Sequence, residues 1–255
     1  MSHISYSALK NWDFCPFYHK LTYLDKVNLF LGNVYTAFGT ALHETCEKLT
    51  EDKSANYENI FKFSFENELS KLADIPSEHQ KLITEMRVQG ITLAKLVIQS
   101  LDEMFPGWQL VSCEEKLMEP IHNEISEYDF KGFIDLVLKT PNGKYHIIDW
   151  KSCSWGWDMK KKTDKMLAYQ LSFYKNYFAK KHNIDLKNIE TYFILLKRTA
   201  KKDRVEVLRV TNAERRIKNS LTLLETAVKN INSNRYIKNK TACSRCHLYK
   251  VHCNG

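Results

Sequence analysis

No apolar run in this 255-residue sequence approaches the roughly 20 residues that a membrane-spanning helix needs. The opening stretch "MSHISYSALKNW" lacks the basic-then-apolar layout of an export signal. The expectation is a soluble cytoplasmic protein, of a bacterium or a virus-infected host cell, with no membrane partner. Internal repeats and low-complexity linkers are also missing, which leaves no sequence reason to divide the chain. Nor is there an even set of cysteines. Seven cysteines without an export signal argue against a disulfide framework.

What is present fits a globular enzyme or binding protein. The chain is 44% hydrophobic and 27% charged, enough for a sizeable core. Its length suits one large domain or one domain with an appendage. The net charge of +8 favours polyanionic partners. The positive charge is clumped in "KKHNIDLK", "KRTAKKDR", "ERRIK" and "MKKKTDK". A solvated face explains each clump equally well.

Apolar periodicity predicts a helical stretch over Ser5–Leu24, broken at Pro16. It predicts further helices over Tyr35–Leu49, about Ser77–Phe105, Thr163–Lys181 and Asn212–Ile231. "WQLVSCEEKLMEPI", "TYFILLKR" and "RVEVLRV" read as strands, and the last twenty or so residues read as irregular. The order suggests an α/β or α+β chain with a mixed sheet.

The most informative stretch is "KGFIDLVLKTPNGKYHIIDWKS", Lys131 to Ser152. Thr140-Pro141-Asn142-Gly143-Lys144 has the chemistry of a three-residue hairpin turn with a bulge at glycine. That turn pairs Thr140 with Lys144. Counting outward, Val137 meets Ile147, Asp135 meets Asp149, and Phe133 meets Lys151. The opposite face would carry Ile134, Leu136, Leu138, Ile148 and Trp150. Two opposed acids, roughly 5 Å apart at Cβ, destabilise a sheet unless something compensates. A bridging divalent cation would do so, although two solvent-facing acids on an edge hairpin remain an alternative. Lys151, two residues beyond Asp149, shares its side of the strand. An ammonium there could activate a nearby water and offset charge growing on a phosphate; a plain surface ion pair is the simpler reading.

"GFID" followed by "IIDWKS" resembles the catalytic half-motifs of the PD-(D/E)xK nuclease superfamily. "FGTALHE" is similar to the helix motif of its RecB-like branch, "AYQLSFY" matches that branch's Gln-x3-Tyr motif, and "ISYSALKNWDFCPFYHKLTYL" resembles its N-terminal segment. The motifs fall in the expected order, and the likeness covers Ser5 to Cys253. It implies a restriction-endonuclease-like α/β core, a mixed central sheet flanked by helices. It also implies Mg²⁺ or Mn²⁺ held by His43, Asp135, Asp149 and the Trp150 carbonyl, with Lys151, Gln170 and Tyr174 as further catalytic residues. Glu115 is a weaker candidate on the preceding strand, and Glu114 has nearly the same claim.

Cys15, Cys243, Cys246 and Cys253 form a plausible four-thiolate set. Spacing alone does not separate iron–sulfur from zinc, and His247 or His252 could substitute as zinc ligands. The resemblance does separate them. Iron–sulfur nucleases of the RecB-like branch, such as the AddB subunit and the CRISPR adaptation nucleases, place one cysteine before the core and three after it. It therefore implies a [4Fe–4S] cluster that joins the two chain ends. The expected layout is one nuclease domain over 1–255, with an N-terminal segment 1–34, a helical insertion and core 35–232, and a cluster segment 233–255. The expected function is a DNA exonuclease acting on single strands or free ends, in replication, recombination or repair, with a viral setting as one option. A non-cleaving or zinc-containing nucleic-acid-binding protein is the alternative.

Overall fold

The Pro141-Asn142-Gly143 turn closes as its chemistry demands. Gly143 takes φ +80 and donates its N–H to the Thr140 carbonyl at 2.9 Å, while Thr140 N–H reaches the Lys144 carbonyl at 3.0 Å. On either side of it stand β3 (Tyr128–Lys139) and β4 (Tyr145–Cys153). This geometry comes from a computed structural model that describes residues 2–27, 32–121 and 128–254.

Among the described residues, six strands make one mixed sheet. β1 (Ser2–Ser5) lies parallel to β3, and β2 (Gln109–Pro120) runs antiparallel along the other edge of β3. β4 pairs antiparallel with β3 and parallel with β5 (Ile189–Lys197), and β6 (Val205–Arg209) closes the far edge. The parallel β4–β5 pair needs a crossover, and the short helix α6 (Met159–Lys162) followed by α7 (Lys165–His182) supplies it.

Helices cover both faces, so the central strands are apolar on both sides rather than alternating. One face packs against α1 (Tyr6–Phe14), α7 and α8 (Glu214–Asn232), with Leu9, Phe173, Tyr177 and Leu224 meeting Phe130, Val137, Ile147 and Phe193. The other packs against α3 (Val34–Glu51), α4 (Tyr57–Ser70) and α5 (His79–Met104). There Phe38, Leu42, Phe61, Phe65 and Leu93 meet Leu136, Ile148, Trp150 and Ile194. Among the described residues, no helix is long and apolar enough to cross a membrane.

The helix ends follow local chemistry. Ser5 caps α1 by accepting from Ala8 N–H. Pro16 then forbids continuation: Cys15 turns extended at φ −166, and a second helix, α2 (Pro16–His19), starts with proline in its first turn. Asn33 and Thr36 form a capping box on α3, and Asp164 caps α7, which stops at Asn183 in the left-handed conformation. Several elements lie outside the sequence expectations, two of them at the sheet edge and in the α3 packing. The stretch from Ser2 to Ser5 is a strand, and α4 is a helix whose buried Phe61, Phe65 and Leu69 recur every fourth residue.

The hairpin keeps its expected register, but its ladder stops one pair short of the acids. The β3–β4 ladder runs from Lys139↔Tyr145 through Val137↔Ile147 to Leu136↔Ile148 and ends there. Asp135 and Asp149 are therefore not cross-strand partners, nor are Phe133 and Lys151. β1 occupies the same edge of β3 further down, at Tyr128–Lys131, so the strands fork between the two pairings. Opposed like charges and buried main-chain amides both favour the opening, because a side-chain carboxylate replaces the missing ladder partner. Ile134 also packs with Val137 rather than with Leu136 and Leu138. The face alternation breaks at Asp135. Across from it, β2 skips a pair between Cys113↔Leu136 and Glu115↔Ile134, and Glu114 adopts φ +46.

Candidate active site

The fork gathers side chains from α3, β3, β4 and α7. On α3, Gly39 allows close approach to β4: a Cβ there would lie 3.1 Å from Ser152 Oγ. One helical turn later, on the same side of α3, His43 places Nδ1 3.4 Å from Asp135 Oδ2. Burial holds the His43 pKa below the usual histidine range, against the pull of Asp149 and a hydrogen bond to the Trp150 main chain. The neutral imidazole is the form that binds a metal.

Asp135 Oδ2 accepts the Trp150 N–H at 2.8 Å. Its pKa is pushed up to about 7 by burial, with Lys151 and the Trp150 amide opposing. Asp149 is 1% exposed, and burial pushes its pKa up to about 6, again against Lys151 and with Asp135 adding to the rise. Its Oδ1 accepts from Gln170 Nε2 at 2.8 Å, and Gln170 also donates to the Tyr174 hydroxyl at 3.2 Å. Lys151 pairs with Asp149 Oδ2. Burial opposes the ammonium's charge, but Asp149 and Asp135 outweigh it, and its pKa is raised. The Tyr174 ring fits because Gly132 has no side chain: a Cβ there would lie 3.0 Å from both Tyr174 and Phe130.

Sequence reasoning thus named six side chains that the fold brings together: His43, Asp135, Asp149, Lys151, Gln170 and Tyr174. The two β2 acids differ in what they meet. Glu115 is taken up by Lys181 and His182 at the end of α7. Glu114 is the acid whose charge reaches His43 and Asp135. The left-handed backbone of Glu114, at φ +46 where β2 and β3 skip a pair, is invisible in a pattern count.

Among the described residues, no three His, Cys, Asp or Glu side chains stand in ready-made metal geometry. The donor chemistry at the fork nevertheless fits a divalent cation. Two carboxylates are held in a site that burial makes unfavourable to their charge. Asp149 Oδ2 has no well-angled hydrogen bond, only the Lys151 ammonium beside it. His43 and the Trp150 main chain complete a mixed nitrogen and oxygen set.

A second cluster joins the chain ends. Cys15, Cys243, Cys246 and Cys253 line one pocket, together with Phe14, Tyr18 and Leu248. Asn239 ties it down, donating its N–H to Cys15 Sγ at 3.3 Å and its side-chain amide to the Phe14 carbonyl at 2.9 Å. All seven cysteines are free thiols. Cys46 is fully buried in the α3 packing, and burial pushes the half-buried Cys113 thiol up to about 11, so neither is a reactive thiolate.

Comparisons with known proteins agree with this architecture. No curated protein sequence matches the chain. A crystal structure from Eubacterium rectale, described as a "putative exonuclease", superposes with a TM-score of 0.60 at 11% identity, covering 100% of this chain and 90% of that one. At that identity the likeness shows the fold alone. The crystal structure of SSO0001 covers 97% of this chain and 94% of its own at 16% identity, with a TM-score of 0.41, too low to carry an argument. The family profile of the PD-(D/E)XK nuclease superfamily matches residues 3–254. With its acids at the fork of a mixed sheet and that profile spanning almost its whole length, the chain belongs to the PD-(D/E)XK nuclease superfamily.

Proposed function

We propose that the protein is a metal-dependent deoxyribonuclease, an exonuclease acting on single strands or free DNA ends. The observation that carries this reading is the pair of buried acids, Asp135 and Asp149, with His43 against one and Lys151 and Gln170 against the other. His43, Asp135, Asp149 and the Trp150 carbonyl would hold Mg²⁺ or Mn²⁺. Such an ion supplies an activated water and neutralises charge on the scissile phosphate.

The chain's own groups do the rest. Asp149 holds the Lys151 ammonium in place, and Lys151 orients the attacking water and offsets charge growing on the phosphate. Gln170 fixes Asp149 through Oδ1 and links it to Tyr174, so the acid cannot rotate away. The net charge of +8 suits a substrate with one phosphate per nucleotide.

The same reading assigns Cys15, Cys243, Cys246 and Cys253 to a [4Fe–4S] cluster. Their shared pocket between the two chain ends supports it. The cluster would act as a staple, because closing a loop of almost the whole chain costs the unfolded state much of its freedom. The proposed setting is replication, recombination or repair. Digestion of end-labelled single and double strands with Mn²⁺ tests the function. Progressive shortening from an end supports an exonuclease, whereas intact DNA at high enzyme concentration contradicts any nuclease reading.

A further inference from the structure

Arg198 follows the last residue of β5 and is only 8% exposed. Its Nη1 donates to Gln89 Oε1 on α5 at 2.9 Å, and its Nη2 to Ser154 Oγ at 3.3 Å. Both partners are neutral. Among the described residues, no ion pair of Arg198 is present, although arginines this deeply placed are almost always paired. Two of its five N–H groups are spent on those bonds, which leaves much of a planar fork whose geometry suits phosphate.

Arg198 is not sealed in. It lines an open pocket with Tyr35, Ser152 and Ser154. Ser152 Oγ faces Gly39, one helical turn before His43, which sets the pocket beside the α3 side of the fork. Tyr35, 52% exposed in the first turn of α3, sets its ring 5.7 Å from the Arg198 guanidinium carbon. A buried, unpaired cation, two hydroxyls and an open aromatic face make a complementary set for one nucleotide.

We propose that Arg198, Ser152 and Ser154 form a subsite for a non-scissile backbone phosphate of the nucleic-acid strand, and that Tyr35 stacks on the adjoining base. The subsite rests on the nuclease reading for its substrate class, and it fixes which strand segment enters the fork. Arg198 is a positioning residue: it holds the strand in register and touches no reacting atom.

The test reads binding without added divalent metal, so that it stays separate from cleavage. A fluorescent hexadeoxynucleotide is prepared with a single neutral methylphosphonate at each linkage in turn. Wild-type protein should lose affinity by about tenfold at one linkage, the scale of one charge-assisted bond. That penalty should vanish in Arg198→Gln and shrink in Ser154→Ala, while Tyr35→Ala should weaken binding severalfold at every linkage. Melting curves identify any variant that fails to fold. If Arg198→Gln does not fold, the wild-type scan with Ser154→Ala still decides. An even profile in the wild type overturns the subsite, and so does a penalty that persists unchanged in both variants. Arg198-dependent phosphate binding by a protein that never cleaves DNA would uphold the subsite and overturn the nuclease reading. Cleavage with an even profile would do the reverse.

Discussion

Asp135 reaches across the strand fork to Trp150, its Oδ2 accepting the main-chain N–H at 2.8 Å. A regular ladder would have satisfied that amide with a backbone carbonyl. The acid satisfies it instead, and the two strands part around a polar site whose other acid, Asp149, is one residue away. Fold and site are therefore one feature, since the opening in which the acids sit is held by one of them.

Both acids hold a pKa above the ordinary value of 3.8, about 7 for Asp135 and about 6 for Asp149. The folded protein binds protons that the unfolded chain releases. Without divalent cations, the contribution of these two acids to stability is fully present below about pH 3.8 and is lost as pH rises through about 7. Asp135→Asn keeps an acceptor for Trp150 and removes the charge. Its melting temperature should exceed that of the wild type, with a larger gain at pH 8 than at pH 5. Mn²⁺ should raise the wild-type melting temperature at pH 8 and the variant's much less. Equal gains at both pH values would contradict the account of Asp135.

Gly132 makes room for the Tyr174 ring. Gly132→Val should cost about 1–3 kcal/mol through overpacking and push Tyr174 off Gln170. Denaturant titration reads the first effect. The second should appear as a fall in cleavage rate under conditions where the variant is fully folded. An unchanged rate would detach Tyr174 from the site.

The thiol pocket makes an independent claim. Anaerobic preparations should be brown and contain iron and sulfide. Cys15→Ala, Cys243→Ala, Cys246→Ala and Cys253→Ala should each lose the chromophore and melt at lower temperature. Replacing Cys46, Cys113 or Cys153 should leave the colour intact. A colourless, active protein with stoichiometric zinc would replace the cluster with a zinc site.

Much of this was legible in the sequence because it is local. Pro141-Asn142-Gly143 dictates its own turn, and the stripes through Phe38, Ala41 and Leu42 and through Gln170 and Tyr174 dictate which helix faces turn inward. The fork was not legible. It arises because β1, more than a hundred residues away, takes the edge of β3 that β4 would otherwise continue along. The skipped pair at Glu114, with its left-handed backbone, is likewise set by strand pairing. Arg198 sat unnoticed in the basic clump "KRTAKKDR", because its burial depends on Gln89 and Ser154 from other parts of the chain. Helix α4 escaped because its buried Phe61 and Phe65 flank Phe63, which is exposed.

The central claim is that Asp149 and Lys151 act in the chemistry and not merely in holding DNA. The direct measurement is Mn²⁺-dependent release of acid-soluble nucleotides from labelled DNA by wild type, Asp149→Ala and Lys151→Ala, with DNA affinity measured alongside. Affinity should change little, because phosphate contacts are spread over many basic residues. Cleavage should fall by about 10²-fold or more in each variant, the scale of losing one electrostatic stabiliser. Wild-type cleavage by Lys151→Ala, in a folded protein with unchanged affinity, would contradict the assignment.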